Sequence, residues 1–267
     1  MPSPPLRVAI LSSDRAPGLA TVLAHALHGP LFEIAGVVSS EPAFADAQHV
    51  LAAGLPLVHR PIREFHRGLG SRLSDMNARA AYDERLAELL SLWRADLVLC
   101  CSYLYILTEP VLDRWRGAVL SVHHSDLLDR TRGGAVRYRG LRAVRDAIMD
   151  GATETRSSVH VVTRELDDGP TLVRSWAFPV SPLVRDMRER GAVDALKAYA
   201  FAHQEWMLQV SWGPLMVCAL ELAALDRSGL TTGRYAGAPW ELTADGELQV
   251  VREAELSGRT RVESLCR

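Results

Sequence analysis

Cysteine is scarce: the 267-residue chain has four, at Cys100, Cys101, Cys218 and Cys266. No paired metal-ligand spacing occurs among them, so reduced thiols and no bound metal are the expectation. A charge imbalance is also missing. Thirty basic side chains face thirty-two acidic ones, a formal net charge of -2, which leaves no electrostatic grip on nucleic acid or anionic lipid. No apolar run approaches the ~20 residues of a membrane span. The run Leu6 to Leu11 is too short and too proline-flanked for a signal peptide, and a cytoplasmic location is expected. Neither Gly-x-Gly-x-x-Gly nor Gly-x-Ser-x-Gly occurs, which argues against a nicotinamide dinucleotide fingerprint and a hydrolase nucleophile elbow. Internal repeats and low-complexity linkers are absent too.

What is present is an ordinary globular composition, 48% hydrophobic and 23% charged. Short β-branched runs at 7–11, 32–38, 55–58, 96–101 and 118–123 read as buried strands. Helical spacing is expected over 19–27, 43–53, 71–93 and 141–149, with a further helix start at Thr108-Glu109-Pro110 where threonine caps and proline suits the first turn. Residues 156–163 and 171–180 read as two more strands, followed by helix to about residue 225 with an interruption at Gly213-Pro214. The alternation predicts an α/β fold with a doubly wound, mostly parallel sheet. Asp245-Gly246 marks a small hairpin in a C-terminal helical and hairpin appendage, so the expected division is a domain over 1–227 and an extension over 228–267.

Titratable groups gather where apolar runs end, the rim at which open α/β sheets bind ligands. In Leu120-Ser121-Val122-His123-His124-Ser125-Asp126, strand alternation puts Ser121 and His123 on one face, Val122 and His124 on the other. His123 is therefore the candidate for the cleft, able to hold a proton near neutral pH or to bond a developing oxyanion. His160 follows in Ser158-Val159-His160, and Asp167-Asp168-Gly169-Pro170 ends the next loop. A carboxylate beside an imidazole stabilises imidazolium and positions water.

These residues carry a resemblance. Ser121-Val122-His123-His124-Ser125-Asp126-Leu127 answers the strand-end motif Asn-Ile-His-Pro-Ser-Leu-Leu of the folate-dependent formyltransferases. Residues 157–170 match nearly throughout the family's Thr-Ser-Val-His-Phe-Val-Thr-x-Glu-Leu-Asp-x-Gly-Pro. Ala81-Tyr82-Asp83, Tyr105 to Pro110 and Tyr138 to Leu141 agree as well, in order, within a similarity from about 7 to 225. Within the family the chain most resembles the phosphoribosylglycinamide formyltransferases.

The resemblance implies a formyltransferase-like, Rossmann-type fold and 10-formyltetrahydrofolate, or another tetrahydrofolate one-carbon derivative, as donor. It carries the catalytic roles onto His123 and Asp167, with His160 in support. It places the pterin against Tyr105, Ile106 and Leu107 and the loop Arg164, Glu165, Leu166 and Asp167. Ser12, Ser13, Asp14, Arg15, His124 and Ser125 fall on the acceptor side.

Two departures stand out. Ser121 replaces the family's catalytic asparagine, and losing one oxyanion donor costs about 100- to 1000-fold in turnover. Ser12-Ser13-Asp14-Arg15-Ala16-Pro17-Gly18 replaces the glycine-rich loop that cradles a ribonucleotide phosphate, and Asp14 repels phosphate. The expected activity is formyl transfer to an amine of a small metabolite outside the purine pathway. The alternatives are a 10-formyltetrahydrofolate hydrolase, methylene transfer or cyclisation from a folate donor, and a catalytically degenerate folate-binding protein. The expected partner is the small amine acceptor, without nucleic acid or membrane, and a homodimer is the candidate assembly.

Overall fold

A computed structural model describes residues 4–251. Cys266 and the tail of the extension lie outside the described residues. In chain order the elements are β1 (Leu6–Ser12), α1 (Leu19–Ala24), β2 (Phe32–Ser39), α2 (Ala47–Ala52), β3 (Leu57–His59), α3 (Ile62–Gly68), α4 (Met76–Leu92), β4 (Leu97–Cys101), α5 (Glu109–Leu112) and β5 (Val119–His123). A 3₁₀ turn, Gly140–Arg142, leads into α6 (Ala143–Asp150), then β6 (Glu154–Thr155), β7 (Ser158–Val161), β8 (Thr171–Arg174) and β9 (Phe178–Pro179). The chain continues through α7 (Leu183–Glu189), α8 (Val193–Leu225), α9 (Gly229–Thr232), β10 (Trp240–Leu242) and β11 (Leu248–Val250).

Among the described residues, nine strands make one sheet in the order β11-β10-β8-β7-β5-β4-β1-β2-β3. The pairs β1–β2, β2–β3, β1–β4, β4–β5 and β8–β10 are parallel, while β5–β7, β7–β8 and β10–β11 are antiparallel. Strands buried on both faces read as continuous apolar runs, and alternation divides them between two cores. Leu6, Val8, Ile10, Leu97, Leu99 and Cys101 pack with α1 and α8 residues such as Leu19, Val22, Leu215 and Leu220. Ala9, Leu11, Val98 and Cys100 pack against Tyr82, Leu86 and Leu90 of α4 and against Val111 and Leu112 of α5. Cys100 and Cys101 thus take opposite faces, as their adjacency predicts. The sheet is mostly parallel and doubly wound, and the strand order reverses between β1 and β4. A crevice opens there, outside the carboxyl ends of the parallel strands.

Several boundaries differ from the sequence expectation, each for a local reason. The helix expected from residue 71 begins at Met76, because the Asp75 side chain caps it by accepting from the Asn77 and Ala78 N–H groups at 3.0 and 3.2 Å. The helix expected over 43–53 contracts to α2. Thr108 does not cap α5 with its side chain; its hydroxyl and its N–H both donate to Asp83 Oδ2, each at 2.7 Å. The strand expected over 156–163 shortens to β7, with β6 just ahead of it, and the one expected over 171–180 splits into β8 and β9. Ser157 N–H donates to Ser175 Oγ and Ser175 N–H to the Ser157 carbonyl, and beyond that clasp β6 and β9 leave the main sheet as a separate antiparallel ribbon.

Helix α8 runs without interruption through Gly213-Pro214; the break falls at 190–192 instead. Gly213 serves close approach. A Cβ on Gly18 would lie 2.3 Å from Gly213 N, and one on Gly213 would lie 2.7 Å from Thr21 Cβ, so α1 and α8 touch backbone to backbone. Helix α8 is long and apolar enough to cross a membrane by length and composition, yet 61% of its most apolar window is buried inside the protein. Its apolar surface follows from being a core helix. The C-terminal hairpin forms as expected and joins the main sheet, β10 lying parallel to β8.

Candidate active site

The loops that leave β1, β4 and β5 converge at the crevice, and the loop between β7 and β8 folds back over it. Ser13 N–H donates to the Ser102 carbonyl at 3.1 Å, tying the first two loops together. In the β5–β7 register Ser121 stands opposite His160 and His123 opposite Ser158. Asp167 sits in the returning loop with φ +51. Gly169 allows that path, since a Cβ there would fall 1.8 Å from the Val161 carbonyl oxygen.

Asp167 is the hub. Its Oδ2 accepts from the Gly140 N–H at 2.7 Å and lies 3.6 Å from His123 Nε2, while Oδ1 lies 3.9 Å from His160 Nε2. Those two separations exceed a hydrogen bond, so the carboxylate faces both rings without clasping either. His123, His124 and His160 are buried, and among the described residues the Nε2 of each has no hydrogen-bond partner. His160 Nδ1 is 3.1 Å from the Val161 carbonyl, which holds the proton on Nδ1.

Burial pushes the His123 imidazole well below its ordinary value, and His124 and His160 add to the shift. Burial lowers His124 as well, opposed by the Leu141 backbone, Asp167 and Glu205. His160 is lowered by burial against Asp167 and the Val161 backbone. Near pH 7 all three rings are neutral.

One cleft is lined by every residue expected to hold the cofactor: Tyr105, Ile106, Leu107, Arg164, Glu165, Leu166 and Asp167. Ser121 and His160 line it too, beside Cys100 and Tyr103. Ile106 and Leu166 are 55% and 54% exposed, apolar side chains on the two loops that line the cleft. Arg79, only 4% exposed, lies 4.9 Å over the Tyr105 ring with Nε and Nη1 unpartnered. Asp168 stands apart from this group and pairs with Arg130 at 3.0 Å.

The acceptor side differs more from expectation. Ser12 and Ser13 are fully buried and hold the loop rather than presenting hydroxyls. Ser12 Oγ donates to the Arg15 carbonyl; Ser13 Oγ accepts from the Leu104 N–H and meets Ser40 Oγ at 2.9 Å. Asp14 is exposed. Arg15 forks onto Glu205 of α8 at 2.6 and 2.7 Å, and the Ala16 N–H donates to Asp46 Oδ2 at 2.7 Å. Ser125 Oγ donates to the Tyr138 carbonyl at 2.9 Å.

His124 follows Val122 to the α8 side of the sheet, as alternation predicts, into the core that holds Val122 and Trp212. Strand β5 ends at His123. At that strand end the His124 ring still lies 4.6 Å from the His123 ring, centroid to centroid. It also stacks on Trp212 at 6.4 Å and 24°, and it borders a second cavity lined by Asp126, Asp129, Tyr138 and Arg156.

Glu205, Asp46, Trp212 and Arg79 were not legible as site residues. Glu205 meets Arg15 across 190 positions, and an acidic residue on a helix reads as a solvated one. The helical spacing of Arg79 with Tyr82 and Leu86, which buries it, was the available signal.

A family model described as formyl transferase matches residues 6–195. The chain is 26% identical over 182 residues to the trifunctional purine biosynthetic protein adenosine-3 of Drosophila melanogaster, covering 66% of this chain and 12% of that protein. It is 31% identical over 102 residues to the phosphoribosylglycinamide formyltransferase of Escherichia coli K12, covering 38% of this chain and 44% of the relative. The chain therefore spans less than half the length of these two relatives. Among solved structures, glycinamide ribonucleotide transformylase 1 from Symbiobacterium toebii superposes with a TM-score of 0.59 at 24% identity, over 83% of this chain and 88% of that one, a likeness of fold.

Proposed function

The chain belongs to the formyl transferase family, and from that premise we propose that it moves a formyl group from 10-formyltetrahydrofolate to an amine of a small, phosphate-free metabolite. The observation that carries this reading is the single cleft joining the loops at 105–107 and 164–167 to Ser121, His160 and Asp167. The residues fit the donor. Ile106 and Leu166 offer apolar contact to a flat ring system, and buried Arg79 and Tyr103 hold polar atoms without protein partners. When bound, the folate supplies the formyl carbon as electrophile.

The residues of the chain divide the remaining work. His123, neutral at rest, donates its ring N–H to the negative charge developing on the formyl oxygen, and Asp167, 3.6 Å from its Nε2, favours positive charge gathering on the ring as it does so. His160, its Nδ1–H donating to the Val161 carbonyl, turns a bare Nε2 toward Asp167 and can bond the carboxyl only once either group carries a proton. By the resemblance, Ser121 stands where the family carries a carboxamide.

The absence of phosphate from the acceptor follows from the β1 loop. Two donors of that loop, the Arg15 guanidinium and the Ala16 N–H, are already held by Glu205 and Asp46. Mass spectrometry of a panel of amines, incubated with protein and 10-formyltetrahydrofolate, tests the reading. A formylated amine formed only when protein and donor are both present supports it. Formate released at full rate without amine identifies a hydrolase instead, and product from 5,10-methylenetetrahydrofolate alone identifies methylene-level chemistry.

A further inference from the structure

Besides the conservative Val122, and Asp126 in place of leucine, the chain departs from the family motif it resembles at Ser121 and at His124, where the motif has proline. The second change adds an imidazole beside the first histidine. We propose that His124 is a catalytic residue, the base that takes the proton from the attacking amine at its Nε2. This deepens the formyl-transfer reading and rests on it.

Position is the first support. At the end of β5 the His124 ring, on the α8 side, comes within 4.6 Å of the His123 ring. His124 is 7% exposed, and among the described residues its Nε2 is buried without a partner. Leaving a buried polar nitrogen open is costly, so an open one beside a reaction centre is a candidate working atom.

The tautomer is the second. The Leu141 backbone favours the protonated ring, opposing the lowering by burial. Nε2 is the ring nitrogen without a partner, and a base acting there requires the neutral ring to carry its proton on Nδ1 and its lone pair on Nε2. A neutral ring with an open lone pair accepts protons, which Ser125 cannot do in its place because its hydroxyl is committed to Tyr138.

Electrostatics is the third. The charged and titratable groups around the ring are Glu205 from α8, Asp167 from the returning loop, His123 from β5 and, at the second cavity, Asp126, Asp129 and Arg156. Glu205 is fixed by the Arg15 fork and Asp167 by Gly140, so neither carboxylate must move to stabilise an imidazolium. Trp212 holds the plane of the ring.

Protons and electrons then balance. The amine nitrogen bonds the formyl carbon with its own electron pair and sheds one proton to His124 Nε2. The bond from that carbon to the folate nitrogen breaks, its electron pair stays on the folate nitrogen, and the proton held by His124 goes there. No oxidant or reductant is needed. The donor side then belongs to His123 and Asp167, the acceptor side to His124 and Glu205.

Two measurements test the assignment. Nitrogen-15 NMR of the histidines in the protein alone is expected to show His124 neutral at pH 7, with Nδ1 protonated and Nε2 bare; a proton on Nε2 overturns the proposal. In turnover, His124→Gln is expected to lower amine formylation at least about 100-fold, leave donor affinity within a few-fold, abolish the acid limb of the pH profile, and regain activity with added imidazole. His124→Asn, which is smaller, separates poor folding from lost chemistry: both variants must lose the acid limb. If wild-type protein formylates amines and either folded variant keeps that limb, the His124 assignment fails and the functional reading stands. If wild-type protein formylates no amine, the functional reading fails, and the NMR result does not rescue a base for a reaction that does not occur.

Discussion

Around Asp167 three imidazoles share one buried wall, and the partner of each Nδ1 or the neighbour of each Nε2 separates their tasks. His123 and His160 both face the carboxylate from just beyond hydrogen-bond range. A small shift on ligand binding can therefore close either contact. Asp167→Asn keeps the volume and an acceptor for the Gly140 N–H but removes the charge that stabilises His123 as imidazolium. Formylation is expected to fall at least about 100-fold, with donor affinity in a fluorescence titration changed only a few-fold. A parallel collapse of affinity would mean that Asp167 acts in binding alone. At Ser121 the expected sign is opposite. Ser121→Asn restores the carboxamide and should raise formylation of a simple amine about 10- to 100-fold; a fall with folate binding intact would mark the serine as tuned to another reaction.

Between elements, one buried carboxylate ties a helix to the loop that lines the cleft at 105–107. Asp83 of α4 accepts both the N–H and the hydroxyl of Thr108, the residue that follows the 105–107 wall. Burial raises the Asp83 carboxyl to about 6, against the pull of Thr108, Arg79 and Arg60. Thr108→Val keeps the shape and loses one bond to a charged group, worth about 1.5–3 kcal/mol. Donor KM should rise several-fold with kcat nearly constant, since the loop slackens while the histidines stay in place. A change in kcat alone would show that the loop does not limit binding. Across the crevice, Glu205→Ala frees the Arg15 guanidinium in a loop whose backbone remains held. The variant is expected to gain measurable affinity for inorganic phosphate by calorimetry, where the parent protein shows none. Equal binding by both would remove the argument against a phosphorylated acceptor.

At the scale of the molecule, the C-terminal hairpin is bound to the sheet by charge as well as by strand pairing. Glu241 of β10 meets Arg174 at 2.6 Å and Arg156 at 2.9 Å, and Arg174 also meets Asp126 at 3.3 Å. Removing the shared carboxylate strips a partner from two buried guanidinium groups, at a cost on the order of 3 kcal/mol. Glu241→Ala should lower Tm by roughly 6–12 °C; an unchanged Tm would show the network to be dispensable. The buried imidazoles set the pH response. His123, His124 and His160 titrate lower in the folded chain than their unfolded value near 6.5, so the unfolded state binds more protons below that pH. Their contribution is whole above about 6.5 and is lost as pH falls toward the folded values. Asp83 opposes them: its raised carboxyl lets the folded chain hold a proton between about 4 and 6 that the unfolded chain lacks. Three imidazoles outweigh one carboxyl, so Tm should fall from pH 7.5 to 5.5, and His160→Gln should flatten the slope. A Tm that rises on acidification would contradict this account.

The sequence by itself determined the strands, the two-sided burial of the sheet and the family. Those depend on local alternation, as in Val8, Ile10, Val98 and Leu99, and on contiguous words such as 157–170. It also placed His123, His160 and Asp167 together, because strand ends and the loops between paired strands are near in space by construction. Tertiary structure alone decided what faces the acceptor. Parity put His124 on the α8 side, but only packing brought its ring onto Trp212 and within 4.6 Å of His123. Arg15 lost its freedom to Glu205, Ala16 to Asp46 and Ser125 to Tyr138, partners set by packing across 190, 30 and 13 positions that no local pattern encodes.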